Sequence, residues 1–264
     1  MKKIILLLFL IPSLCFAGLR GQELTVLGDN ENNCFIPKAG ILPQESHIVG
    51  FWQLEEASGS IIDQTGVNNG TYNGVLYLQT GKITYGLGFD GSDDYVYTSN
   101  IGIAGNVELS ISFWVKSTTI VNLGNFVSVG ALSDKNLIGI GSGTTGEKLY
   151  LNYWGNDNVV DLDISPADHS LDFVHIVYTY NKTTEKLYAN NVLKHTRNIT
   201  LTFTDNPVRI GGRTGGYDGQ YSKSVIDEVT IWDTVLTPSW IKTCYNNQSD
   251  PSTFYTISEE EPYQ

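Results

Sequence analysis

Residues Glu108 to Lys116 alternate without a break: Leu109, Ile111, Phe113 and Val115 fall on one side, and Ser110, Ser112, Trp114 and Lys116 on the other. A period of two is the mark of a strand with one buried face. Similar short runs predict strands at His47 to Leu54, on either side of a tight turn within Gly88 to Tyr97, in hairpins spanning Phe126 to Ile140 and Leu149 to Trp154, and at Val208 to Gly212. Phe173 to Tyr180 is turned by Asn181 to Thr184 into Glu185 to Ala189, and Asn190-Asn191 makes the next tight turn. Residues 61 to 71 are rich in Gly and Asn and predict a structured loop.

Val225 to Trp232 reads as a further strand, but its apolar positions keep to consistent faces only if the pleat is interrupted near Asp227. Thr237 followed by Pro238 is a helix start, a capping hydroxyl and then a proline at the first position, and predicts one short helical turn. Regular short strands, 27 glycines and little 3.6-residue periodicity together predict an all-β chain of two packed antiparallel sheets.

Lys2-Lys3, the apolar run Ile4 to Ile11 and the small residues up to Ala17 predict a signal peptide at 1–17 and a secreted or periplasmic product. Residues 18–46 read as a leader, 47–247 as one domain and 248–264 as an acidic tail. The chain carries 28 acidic against 16 basic residues, a net charge of -12, and losing Lys2 and Lys3 makes it more negative. Such a surface repels phosphate backbones, so nucleic acid is not an expected partner. No later run is long and apolar enough for membrane insertion. Two cysteines follow the signal peptide, Cys34 and Cys244. An oxidising compartment permits a disulfide between them, and two independent thiols are the alternative.

Gly50-Phe51-Trp52-Gln53-Leu54, Asp63 with Gly66 and Asn69-Gly70-Thr71, Gly88-Phe89-Asp90-Gly91 with Asp94-Tyr95-Val96, Leu109 to Lys116, Phe173 to Tyr180, Arg209-Ile210-Gly211-Gly212 and Ile226-Asp227-Glu228-Val229 follow one another in an informative order. Together they resemble the laminin-G-like group of the concanavalin A-like superfamily, which includes the pentraxins. The resemblance implies a two-sheet antiparallel jelly-roll sandwich whose first and last strands are neighbours. It also implies an enclosed seam at which Cys34 and Cys244 would meet, and a fold that serves lectins, adhesion modules and glycan-active enzymes alike.

Calcium takes six to eight oxygen ligands. Asp63 and Asp227, brought together by neighbouring first and last strands, are the candidate metal pair. The bland role for each is to accept backbone N–H groups. Pentraxins hold calcium partly through an Asp-Asn loop similar to Asp134-Lys135-Asn136, but Arg213-Thr214-Gly215-Gly216 stands where their remaining ligands lie, so the pentraxin arrangement is not expected. Asp90, Asp93 and Asp94 read as a polar turn.

For sugar recognition an aromatic ring must lie against a pyranose, flanked by amide, carboxylate and guanidinium groups. Tyr153, Trp154, Asn156 and Asp157 have that composition at a strand end, with Arg213, Tyr217 and Asp218 as partners from a second loop. A catalytic pair of carboxylates alternating along one strand is missing, Asp161-Leu162-Asp163 being the nearest case. Gly141 to Gly146 matches a dinucleotide fingerprint in letters, but the strand beginning at Leu149 stands where that motif needs a helix. His175, inside an apolar strand, is predicted to be a packing residue. The expectation is therefore a secreted, non-catalytic module that binds a glycan or glycoprotein surface. A structural or adhesion module and a polysaccharide-active enzyme are the rivals.

Overall fold

The computed structural model describes residues 45–117, 124–130, 137–142, 148–153, 158–161, 172–205, 207–214 and 220–250. Fifteen strands and one α-helix are found among these residues. The first seven strands are β1 (Ile48–Trp52), β2 (Thr71–Asn73), β3 (Leu76–Thr80), β4 (Tyr85–Asp90), β5 (Tyr95–Asn100), β6 (Leu109–Ser117) and β7 (Asn125–Gly130). They are followed by β8 (Leu137–Ser142), β9 (Lys148–Asn152), β10 (Asn158–Asp161) and β11 (Val174–Tyr180). The chain then forms β12 (Thr184–Ala189), β13 (Val192–Asn198), β14 (Pro207–Ile210), β15 (Lys223–Trp232) and the helix α1 (Pro238–Ser249).

Two antiparallel sheets face each other as a jelly-roll sandwich. The first runs β13-β12-β11-β6-β15-β4-β3, with β1 also paired to β15, and the second runs β10-β9-β8-β7-β14-β5-β2. The alternation read in β6 places Leu109, Ile111, Phe113 and Val115 in the core between the sheets. There they meet Val127, Val129, Ile138, Ile140, Leu149 and Leu151 from the second sheet. β8 and β9, on either side of the glycine-rich stretch that imitates a nucleotide loop, pair antiparallel.

The interruption at Asp227 is real. The register between β15 and β6 slips between Asp227 and Thr230, and Glu228 has φ 53°. This bulge is where β15 changes partners: Lys223 to Ile226 pair with β4, whereas Val229 to Trp232 pair with β1. The first and last strands of the domain are therefore neighbours, as the resemblance implies.

The outer face of the first sheet is better covered than the sequence suggests. Trp232, Val177, Tyr188, Leu236, Trp240, Ile241 and Cys244 form a second apolar layer between this face and α1. Trp114, on the polar side of β6, is 1% exposed, and its Nε1 donates to Gln248 Oε1 at 2.7 Å. The helix begins as predicted, with Thr237 Oγ1 accepting from the Trp240 N–H and Pro238 in the first turn. It runs for 12 residues rather than one short turn. Asn246, Asn247 and Ser249 are poor helix formers, but burial of Trp240, Ile241, Cys244 and Gln248 against the sheet carries the helix through them. α1 thus ends two residues beyond the expected domain boundary at 247.

Candidate functional site

The second sheet builds its outer face from residues that alternate with core positions. Arg209 lies between Val208 and Ile210, Ser128 between Val127 and Val129, and Gly139 between Ile138 and Ile140. Register joins these into one cross-strand row: Asn152 opposite Gly139, Gly139 opposite Ser128, Ser128 opposite Arg209, Arg209 opposite Tyr97, and Tyr97 opposite Thr71. Six strands at about 4.8 Å spacing make a row of about 24 Å. It holds amide, hydroxyl, guanidinium and phenol groups, and no aliphatic side chain.

One half of the row is roofed and the other is open. Gly212, Thr214 and Gln220, which follow β14, bond to this face at Ser128 and Asn152. Ser128 Oγ donates to the Gly212 carbonyl at 3.0 Å and accepts the Thr214 N–H at 2.9 Å. Gln220 Oε1 then gathers Asn125 Nδ2 at 3.1 Å, Asn152 Nδ2 at 3.1 Å and Arg213 Nη1 at 2.7 Å. Gly211, at φ +83°, follows β14 directly; a side chain there would strike the Phe89 ring. At the open half, Tyr97 is 40% exposed, Thr71 and Asn73 are exposed, and Arg209 is half-buried. The Arg209 guanidinium lies 4.2 Å from the Tyr95 ring centroid and 5.8 Å from that of Tyr97. Tyr221 stacks on Tyr95 with centroids 6.2 Å apart.

Few of the residues expected to bind ligand come together. Trp154, Asn156, Asp157, Tyr217, Asp218, Cys34 and the Asp134 loop lie outside the described residues. Arg213 does reach this face, but it is 4% exposed and holds the roof rather than a rim. Tyr153 points inward and is fully buried, its hydroxyl bonded to Glu185. Tyr178 also donates to Glu185 at 3.2 Å, and Arg197 Nε does so at 2.9 Å, so this acid anchors a buried network inside the sandwich. Burial pushes the Tyr153 and Tyr178 hydroxyls above the ordinary tyrosine range, which keeps them as donors. Tyr153 therefore offers no ring to a sugar.

The two candidate metal acids both bond to the backbone of the fold. Asp63 Oδ1 accepts the Phe51 and Thr65 N–H groups at 2.9 and 3.0 Å. Its Oδ2 accepts the Thr65 hydroxyl at 2.5 Å and the Asn68 N–H at 2.8 Å. A carboxylate has about four acceptor positions, so all are spent on the loop. Asp227 is fully buried and takes the Ile83 N–H on Oδ2 at 2.9 Å, while Oδ1 has no partner among the described residues. Burial is the chief reason its pKa rises to about 8, which favours the neutral acid over a ligand carboxylate. Oxygens of Asp90, Asp93 and Asp94 lie within 4.8 Å of one another. Asp94 Oδ2 accepts the Asp90 N–H and Asp90 Oδ1 the Ser92 N–H, as in a self-capping turn. Burial raises the Asp94 pKa. His175 packs against the Trp114 ring at 4.8 Å and is 2% exposed, as a packing residue should be.

A family model described as the concanavalin A-like lectin/glucanases superfamily matches residues 90–242. The chain belongs to that superfamily. Among solved structures, this superfamily member is similar to domain 4 of AbnA, an extracellular arabinanase from Geobacillus stearothermophilus, solved in complex with arabinotriose. The TM-score is 0.59 and the identity 19%, over 75% of this chain and 98% of that one. It is also similar to the binding domain of Paraclostridial Mosquitocidal Protein 1, with a TM-score of 0.61 and 14% identity, over 76% of this chain and 52% of the other. A Trypanosoma rangeli sialidase matches with a TM-score of 0.60 and 13% identity, over 79% of this chain and 34% of that enzyme. The chain thus spans nearly all of the arabinanase domain, about half of the toxin domain and a third of the sialidase. No curated protein matches. At these identities the likeness concerns the fold, which hosts binding domains and parts of enzymes alike.

Proposed function

We propose that this protein is a secreted, non-catalytic recognition domain that binds carbohydrate, free or displayed on a glycoprotein, along the open half of the second sheet. The observation that carries this reading is the cross-strand row from Asn152 to Thr71, a polar band whose open half holds Arg209, the exposed Tyr97 and Thr71. Tyr97 supplies the flat apolar surface for a sugar ring, and Arg209, Thr71 and Asn73 surround it with hydroxyl-pairing groups. No carboxylate stands in the row, which favours binding over hydrolysis. The arabinanase domain solved with arabinotriose is a relative in fold whose ligand belongs to the class proposed here. The reading does not call on calcium.

A glycan array probed with the full chain tests it. Binding to a defined set of oligosaccharides is expected, and Tyr97→Ala should weaken it by about tenfold while the melting temperature stays close to that of the wild type. An array without a single bound glycan, together with capture of one defined protein partner through another face, would support the adhesion reading instead.

A further inference from the structure

We infer that the carbohydrate recognised at this face carries a carboxylate, with Arg209 as its partner. This rests on the carbohydrate reading above and narrows its ligand class.

Arg209 is a fixed cation. Its guanidinium carbon lies over the Tyr95 ring at 4.2 Å from the centroid, Tyr95 is backed by Tyr221, and Nη1 donates to the Arg213 carbonyl at 2.7 Å. Nε is shielded and has no hydrogen-bond partner among the described residues. No carboxylate of the described residues lies within 4.0 Å of it, whereas Arg197 is paired with Glu185 and His47 with Asp233. In a chain with 28 acidic and 16 basic residues, an immobilised guanidinium that meets no acid among the described residues is unusual. A guanidinium carries its N–H groups at its edge, and that edge matches a carboxylate better than a hydroxyl. Tyr97, next to Arg209 in the row, offers the adjoining surface for the sugar ring. A neutral sugar would use only part of this arrangement. A uronate or a sialate would use the charge as well, and the order already imposed on Arg209 lowers the entropic cost of holding it.

The test is a glycan array in which each uronate-bearing and each sialate-bearing glycan stands beside its neutral counterpart, such as oligogalacturonate with its carboxyl-reduced form and sialyllactose with lactose. Titration of the strongest pair against the wild type and Arg209→Met follows. The wild type should bind the acidic member about tenfold or more tightly, in one acid class or both. The Met variant should bind both members of the pair equally. Equal binding of acidic and neutral members by the wild type, or a preference that survives Arg209→Met, overturns the inference and leaves the carbohydrate reading standing. An array with no bound glycan at all overturns the carbohydrate reading, and this inference with it.

Discussion

Asp227→Asn is expected to raise the melting temperature at pH 8 by about 5 °C or more and to change it little at pH 4. The acid is enclosed by the turn of Gly81 to Thr84, with its Cβ beside Gly86 on one neighbouring strand and Trp114 opposite it on the other. Because burial raises its pKa from 3.8 to about 8, the folded chain keeps a proton that the unfolded chain releases above pH 4. The stability tied to that proton is complete below about pH 4 and is lost progressively as the pH rises to about 8. Asparagine keeps an oxygen for the Ile83 N–H and has no proton to lose. His175 works in the opposite direction. Burial holds its pKa at about 3, so the folded state loses stability as the pH falls from 6.5 to 3. Thermal melts from pH 4 to pH 9 should show the wild type declining toward alkaline pH and the Asn variant without that decline. Parallel curves would contradict the raised pKa.

Glu185→Ala is expected to lower stability by about 3 kcal/mol and the melting temperature by about 8 °C. Glu185 is fully buried opposite Arg197 on β13 and ties Tyr153 and Tyr178 in the core to Arg197, with His195 at 3.3 Å. Alanine would take from two buried phenols and a guanidinium the carboxylate they share, and the cost of a buried donor left unpaired outweighs the modest net value of each bond. Glu185→Gln retains an acceptor and should lose less. Urea unfolding of the three proteins at one pH measures both effects, and an Ala variant as stable as the wild type would show that the network is solvated.

The sandwich was legible where burial imposes a period. β6, β11 and the closing strand announce themselves because one face of each packs in the core. The acid at Asp227 signalled a bulge because no regular pleat accommodates it. β13 left no such trace: Val192 and Leu193 are both exposed and its pattern does not alternate. The extent of α1 was hidden for a related reason, since Trp114 and the layer around Trp232 reward the helix from a distant part of the chain.

The candidate site was less legible than the fold. A search for clustered aromatics and amides selects Tyr153, but register and parity place that ring in the core. The open face is assembled from β2, β5 and β14, which are far apart in sequence, and only register reveals the row. A faint signal existed in Tyr95-Val96-Tyr97 and Val208-Arg209-Ile210, where large polar side chains alternate with core residues.

Ligand binding at the open half of the second sheet can be followed by amide NMR of the full chain, titrated with the strongest oligosaccharide from the array. Shifts are expected to concentrate in Thr71 to Asn73, Tyr95 to Ser99 and Val208 to Arg213. Shifts centred on β11 to β13 or on α1, with these segments silent, would contradict it.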